Sequence, residues 1–182
     1  MPRFIAFLRA INVGGHIVSM ESLRGHFAAL RLKDVETFIA SGNVLFTSRT
    51  GDPAALERRI EKRLHDSLGY EVRTFIRSGE DLAAILHYCP YQESGLLTTA
   101  LCVGFLAQAP GAIATRALMK HASEADRLHV HGREVYWLSS AGVSKSAISY
   151  SKMERALECR ATFRGINTVK RLVGKYSFST VI

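Results

Sequence analysis

The chain has 182 residues, 47% of them hydrophobic and 22% charged, ordinary globular values that predict a packed core and exclude wholesale disorder. That length suits one large domain or two small ones, and no apolar run approaches the roughly 20 residues that span a bilayer. The net charge of +8 is weighted toward the end: from Val143 onward eight Lys or Arg stand against Glu154 and Glu158, a net of +6, leaving +2 on the first 142 residues.

Arg3 to Leu8 reads as a strand, its apolar run too short for a signal-peptide core and ended by Arg9. Ser19 is a suitable N-cap for a helix carrying Met20, Leu23, Phe27 and Leu30 at spacings of three and four. Val35 to Ala40 and Val44 to Thr47 are β-prone runs around Ser41-Gly42-Asn43, the chemistry of a hairpin turn. Asp52-Pro53 opens a helix with Leu56, Ile60, Leu64 and Leu68 on one face, and Gly69 closes it. Tyr70 to Ile76 is the next strand. The order to this point is βαββαβ.

Ser78-Gly79-Glu80-Asp81 has the form of a capping box for a helix with Leu82, Ile85 and Leu86 inward. Pro90 ends that helix, and Tyr91 to Leu97 reads as a connector. The order then recurs: a strand over Thr98–Ala107, a helix from Pro110 through Ile113, Leu118 and His121, and strands over Arg127–Val130 and Glu134–Leu138. A helix over Ala147–Glu158 and a short strand near Cys159–Phe163 complete the set. A last helix is expected over Asn167 to about Val173, with Asn167 as N-cap and Gly174 as its stop.

The doubled order predicts an α+β protein of two tandem ferredoxin-like units with antiparallel sheets, residues 1–77 and 98–182, joined by a helix and linker over 78–97. The strands Phe4–Leu8 and Ala100–Leu106 are apolar on both alternations, so the second face of each sheet is expected to be covered rather than solvated. That argues against an open binding platform. It also separates the chain from the RNA-recognition module, whose basic-Gly-aromatic signature is missing from Asn43-Val44-Leu45-Phe46-Thr47.

Two polar motifs stand out. In Arg9-Ala10-Ile11-Asn12-Val13-Gly14-Gly15 the glycines let backbone N–H groups approach an anion, and Arg9 offers a fork for phosphate or carboxylate. It is neither a dinucleotide fingerprint nor a P-loop, and a plain turn with Arg9 paired to a carboxylate explains the same residues. Arg164-Gly165-Ile166-Asn167 repeats its Arg-x-Ile-Asn and offers a second anion-contacting edge. Ser41-Gly42-Asn43 is placed at the opposite end of the sheet from Arg9, on the expectation that the first and third strands run parallel.

His129 and His131 share one face of a strand but have no third ligand at suitable spacing, so they are read as solvated edge histidines and no metal is implied. Ser144-Lys145-Ser146 lacks an orienting group for nucleophilic catalysis and reads as loop and cap. Cys89, Cys102 and Cys159 are odd in number and read as reduced, mostly buried thiols of a cytoplasmic protein.

The run Leu8-Arg9-Ala10-Ile11-Asn12-Val13-Gly14-Gly15, followed by Met20, Leu23-Arg24 and Thr37-Phe38-Ile39-Ala40-Ser41-Gly42-Asn43-Val44-Leu45-Phe46, resembles a bacterial family catalogued only as domain of unknown function 1697. Ala161-Thr162-Phe163-Arg164-Gly165-Ile166-Asn167-Thr168-Val169 is similar to that family's ending, with Gly165-Ile166 where the family has Asn-Trp. An aromatic ring stacking on a ligand at that point would be absent here. The resemblance implies two ferredoxin-like units and no reaction.

Three functional readings follow from these residues. The first is a cytoplasmic binding module for a small phosphate- or carboxylate-bearing ligand, using Arg9, Asn12, Gly14 and Gly15 together with Arg164 and Asn167, with no cofactor. The second is an enzyme acting on a phosphorylated or nucleotide-like substrate at the same place. The third is nucleic-acid binding through the basic C-terminal segment. The bland account of that segment is solubility, which needs no partner.

Overall fold

The computed structural model describes residues 1–12, 14–39, 42–91 and 100–178. It is an α+β protein with two four-stranded antiparallel sheets and, among the described residues, six helices. The chain divides into two compact units, Met1–Leu82 and Ala83–Ile182.

The first unit runs β1 (Arg3–Leu8), α1 (Met20–Ala29), β2 (Lys33–Phe38), β3 (Asn43–Thr47), α2 (Pro53–Leu68) and β4 (Thr74–Ser78), with the sheet ordered β2-β3-β1-β4. Helix α3 (Gly79–Tyr88) follows, and the division between units falls inside it. The helix ends obey local chemistry. Ser19 Oγ accepts from Ser22 N at 3.0 Å, and Asp52 Oδ1 accepts from Ala54 N at 2.9 Å and Ala55 N at 3.2 Å. Gly69 closes α2 in the left-handed region at φ +78°. Ser78 and Asp81 form a reciprocal capping box, each accepting the other's amide, at 3.0 and 2.8 Å. One face of the sheet packs Phe4, Ala6, Leu8, Val44, Phe46 and Ile76 against Leu23, Phe27, Leu56 and Ile60 of the helices.

The second unit runs β5 (Leu101–Leu106), α4 (Ala112–Met119), β6 (Asp126–His131), β7 (Glu134–Ser139), α5 (Tyr150–Leu157), β8 (Ala161–Gly165) and α6 (Ile166–Phe178), with the sheet ordered β6-β7-β5-β8. Adding four to each strand of the first order gives the second. The register agrees: Leu8 pairs with Thr74 as Leu106 pairs with Ala161, and Ile5 with Arg77 as Val103 with Arg164. Its core joins Leu106, Val135, Trp137, Leu118, Met153 and Leu157.

Both alternations of the central strands are closed to solvent. Ile5, Phe7, Val103 and Phe105 are fully buried along with their neighbours. Edge strand β4 is blunted by carboxylates. Its odd residues Phe75 and Arg77 face β1, and the amides of Thr74, Ile76 and Ser78 point outward to Glu61 Oε1 (2.9 Å), Glu57 Oε1 (2.8 Å) and Asp81 Oδ2 (2.8 Å). Such capping removes the row of open donors on which another strand would pair.

Several expectations need correction. The fourth strand begins at Thr74 rather than Tyr70, because Tyr70 is used as an anchor for the loop after β1. Val143–Lys145 forms a short 3-10 turn, and Ser149 caps α5, so that helix starts at Tyr150 rather than Ala147. Helix α4 runs over Ala112–Met119 with Gly111 as its N-cap, so Pro110 and His121 lie outside it. Helix α6 starts at Ile166 and runs through Gly174, so Asn167 lies in its first turn rather than at the N-cap and Gly174 is no stop. Ser41, most of the connector expected over Tyr91–Leu97, and Thr98 lie outside the described residues.

Candidate functional site

The first motif leaves the sheet at Arg9, whose amide donates to Arg73 O at 2.8 Å, while Leu8 N donates to Gly42 O at 2.8 Å. Three segments therefore meet at this end of the first sheet: the loop after β1, the turn before β3 and the approach to β4. The expectation that Gly42 sits at the opposite end is overturned. β1 and β3 are antiparallel, Phe7 pairing with Asn43, which brings the start of β3 to the end of β1. Gly42 belongs to the loop's floor: at φ +77° a Cβ would stand 2.6 Å from Ile11 Cγ2, so only glycine fits.

Asn12 braces the loop through its side-chain carbonyl. Its Oδ1 accepts from Val18 N at 2.7 Å and closes the loop on itself. Tyr70 donates its hydroxyl to Ile11 O at 3.0 Å, and its ring stacks on His16 with centroids 4.0 Å apart. Burial raises the Tyr70 hydroxyl, which therefore stays protonated and donating. Against this braced base Gly14 and Gly15 take φ +63° and +87°, are exposed, and have no atom within 4 Å of where a side chain would begin. Arg9 is half-buried at the root of the loop. Val13 lies outside the described residues. Sequence reasoning missed Tyr70 and Gly42, because their partners are distant in the chain.

Beside this end lies a shallow groove of about 400 Å³ lined by Arg58, Lys62, His65, Val72 and Arg73 with three carboxylates. Its three carboxylates balance Arg58, Lys62 and Arg73 in number, and two of those cations are paired: Arg73 with Glu61 (3.3 Å) and Glu71 (3.0 Å), and Lys62 with Asp66 (2.7 Å). The groove is an exposed, internally neutralised surface and a poor anion site.

The second motif belongs to the second unit. Arg164 is the repeat equivalent of Arg77, not of Arg9, so the shared Arg-x-Ile-Asn spelling is not a structural echo. Its Nη1 donates to Thr162 Oγ1 at 2.8 Å and Phe163 O at 2.9 Å. Burial lowers the guanidinium to about 10, with Tyr150 pulling the other way, so it remains charged at neutral pH. Asn167 is exposed on α6. Ile166, standing where the resembled family has tryptophan, is 2% exposed and is a packing position here.

His129 and His131 are not simply solvated. The Tyr88 hydroxyl lies 2.8 Å from His129 Nε2, and the Tyr88 ring stacks on His131 at 3.5 Å. Burial, then the neighbouring His131, lowers His129. Tyr88 closes a helix more than forty residues upstream, and nothing in local spacing announces it. Among the described residues no group of three His, Cys, Asp or Glu is placed to hold a metal ion. Ser146 Oγ accepts from Ile148 N at 2.9 Å, a local turn in the loop before α5, whose cap is Ser149. Burial alone would raise the Asp126 carboxyl, but hydrogen bonding, foremost from Trp137 Nε1 at 3.0 Å, holds it below the usual range. The three cysteines are free; Cys89 is buried and the other two half-buried.

Among the described residues no helix is long and apolar enough to cross a membrane. The family model described as Protein of unknown function (DUF1697) matches residues 1–136. That match covers the Arg9 loop and ends within β7, before the Arg164 motif. Among solved structures the chain is similar to conserved bacterial protein SP0830 from Streptococcus pneumoniae, at 24% identity and a TM-score of 0.73 over 97% of this chain and 99% of that one. Comparison with curated proteins gives no match.

Proposed function

The chain belongs to the DUF1697 family of proteins of unknown function, and from that premise we propose that it is a binding module for a small anionic ligand, held at the Arg9–Gly15 loop of a ferredoxin-like first unit. The plait reading is supported by the βαββαβ order and the strand order β2-β3-β1-β4. The anion reading rests on one observation above the others: Gly14 and Gly15 are consecutive, exposed and left-handed over open space, on a loop braced at Ile11 and Asn12. Exposed glycines over open space let a phosphate or carboxylate oxygen come close to their backbone amides, with no side chain in the way. Arg9 supplies the fixed charge at the loop's root.

Titration with inorganic phosphate, followed by amide shifts in the full chain, tests this reading. Saturable shifts at Gly14 and Gly15 that are lost in Arg9→Ala support it. A folded Arg9→Ala variant with unchanged shifts removes Arg9 from the site, and no saturable shift in the parent protein ends the proposal.

A further inference from the structure

The two units use the outer edge of their fourth strand differently. In the first, Glu61 and Glu57, four residues apart on α2, receive the amides of Thr74 and Ile76, and Asp81 receives that of Ser78. In the second, Glu154 of α5 receives Ala161 N at 2.9 Å, which makes it the equivalent of Glu61. The residue four positions before it, in the place of Glu57, is Tyr150, and the residue in the place of Asp81 is Thr168. Thr162 and Arg164 face β5 in the register, so the amides of Phe163 and Gly165 point outward. Among the described residues no side chain accepts from either.

The edge around these amides is constructed. Gly104 lacks the Cβ that would stand 2.5 Å from the Phe163 ring, and the ring takes up that space against β5. Tyr150 stacks on Phe163 with centroids 4.8 Å apart at 24°, and Trp137 meets both rings edge-on at 5.8 and 6.2 Å. Tyr150 is nonetheless 48% exposed, Gly165 is exposed, and no atom stands within 4 Å of where a Gly165 side chain would begin. Arg164, between the two amides in sequence, holds its charge close enough to act on the Tyr150 hydroxyl.

We propose that the outer edge of β8 at Phe163 and Gly165 is a binding site for a dicarboxylate, whose two ends take the places that Glu57 and Asp81 fill in the first unit and whose hydrocarbon middle lies against Tyr150. The protein supplies its own template: the equivalent amides of β4 bind carboxylate oxygens at 2.8 Å. Two outward amides on one extended strand are about 7 Å apart, a spacing that a four-carbon dicarboxylate spans and a single carboxylate does not. The site lies in the second unit and goes beyond the loop reading, whose failure would leave it untouched.

The test is titration of the full isotope-labelled chain with succinate, with neutral succinamide and with propionate as controls. Succinate is expected to shift the Phe163 and Gly165 amides together and saturably, at about millimolar concentration. Thr74, Ile76 and Ser78, already occupied, should not move. Tyr150→Glu restores the internal carboxylate and should weaken succinate binding about tenfold or more, as one charged contact is lost to competition. Tyr150→Leu keeps the edge open and should retain the Phe163 shift. No saturable shift at Phe163 and Gly165, equal response to succinamide, or equal affinity in a folded Tyr150→Glu variant would each overturn the proposal.

Discussion

Arg77 and Arg164 occupy the same place in their two sheets. Each lies on the fourth strand opposite the first, paired with Ile5 and Val103, and each donates Nη1 to the carbonyl of the residue before it, at 2.8 and 2.9 Å. Arg77 is 1% exposed. A guanidinium can make such a backward bond while keeping further donors in its plane, and an ammonium cannot. Arg77→Lys and Arg164→Lys should each lower unfolding stability by about 1–3 kcal/mol, the cost of a buried acceptor left without its donor. Urea denaturation of the two variants measures it. Losses within about 0.5 kcal/mol, the range of ordinary surface changes, would mean neither arginine is structural.

The carboxylate clamp on β4 makes a second, separable prediction. Glu57→Ala leaves the buried Ile76 amide without an acceptor and should cost about 2 kcal/mol. Glu57→Gln keeps an acceptor oxygen and should cost less. Equal losses in the two variants would show that the charge matters and the bond does not. Because the clamp also blocks a sheet edge, Glu57→Ala should increase concentration-dependent association, read by light scattering.

The glycines of the Arg9 end differ in a way that substitution resolves. Gly42→Ala meets both a left-handed φ and Ile11 at 2.6 Å, and should destabilise by about 2–3 kcal/mol or fail to fold. Gly15→Ala meets only the φ, over open space, and should cost about 1 kcal/mol. A Gly42→Ala variant as stable as Gly15→Ala would contradict the packing of this turn on Ile11.

His129 carries a pH dependence with a definite sign. Its folded-state pKa is lowered from 6.5 by burial, with His131 adding to it. The unfolded chain therefore binds the proton more readily, and stability rises with pH through the window just below 6.5 and falls on acidification. His26 is lowered too, by burial and then Arg63, and slopes the same way. His129→Gln should flatten part of the rise in urea midpoint between pH 5.5 and 7.5, a range chosen to bracket about 6.5. An unchanged slope would assign the effect elsewhere.

What the sequence made legible was local. Ser19, Asp52-Pro53 and the Ser78–Asp81 box announce helix ends through side chains that bond two or three residues away, and each is where its chemistry puts it. The four-strand sheets and their α+β class followed from the recurrence of those elements. Contacts between distant segments were not legible. That Tyr70 would anchor Ile11, that Tyr88 would lie on His131 and that Gly42 would floor the Arg9 loop depend on strand direction and register. One wrong direction, β1 parallel to β3, moved Gly42 to the far end of the sheet. The Arg-x-Ile-Asn spelling misled in the same manner, because matching letters after β1 and on β8 do not share a register.

The cysteines supply the last prediction. Burial pushes the Cys102 thiol up to about 11, from an ordinary 9.0. Burial, and then Glu154, raises Cys159 as well. Since the thiolate is the nucleophile, a rise of two units leaves about a hundredfold less of it at any pH well below 9. Iodoacetamide at mildly alkaline pH should therefore modify Cys102 in the folded protein about a hundred times more slowly than a free thiol, and urea should erase the difference. Mass spectrometry of peptides at timed intervals gives each site its own rate. Labelling of native Cys102 at the rate of the unfolded chain would mean that β5 opens to solvent far more often than a central strand should.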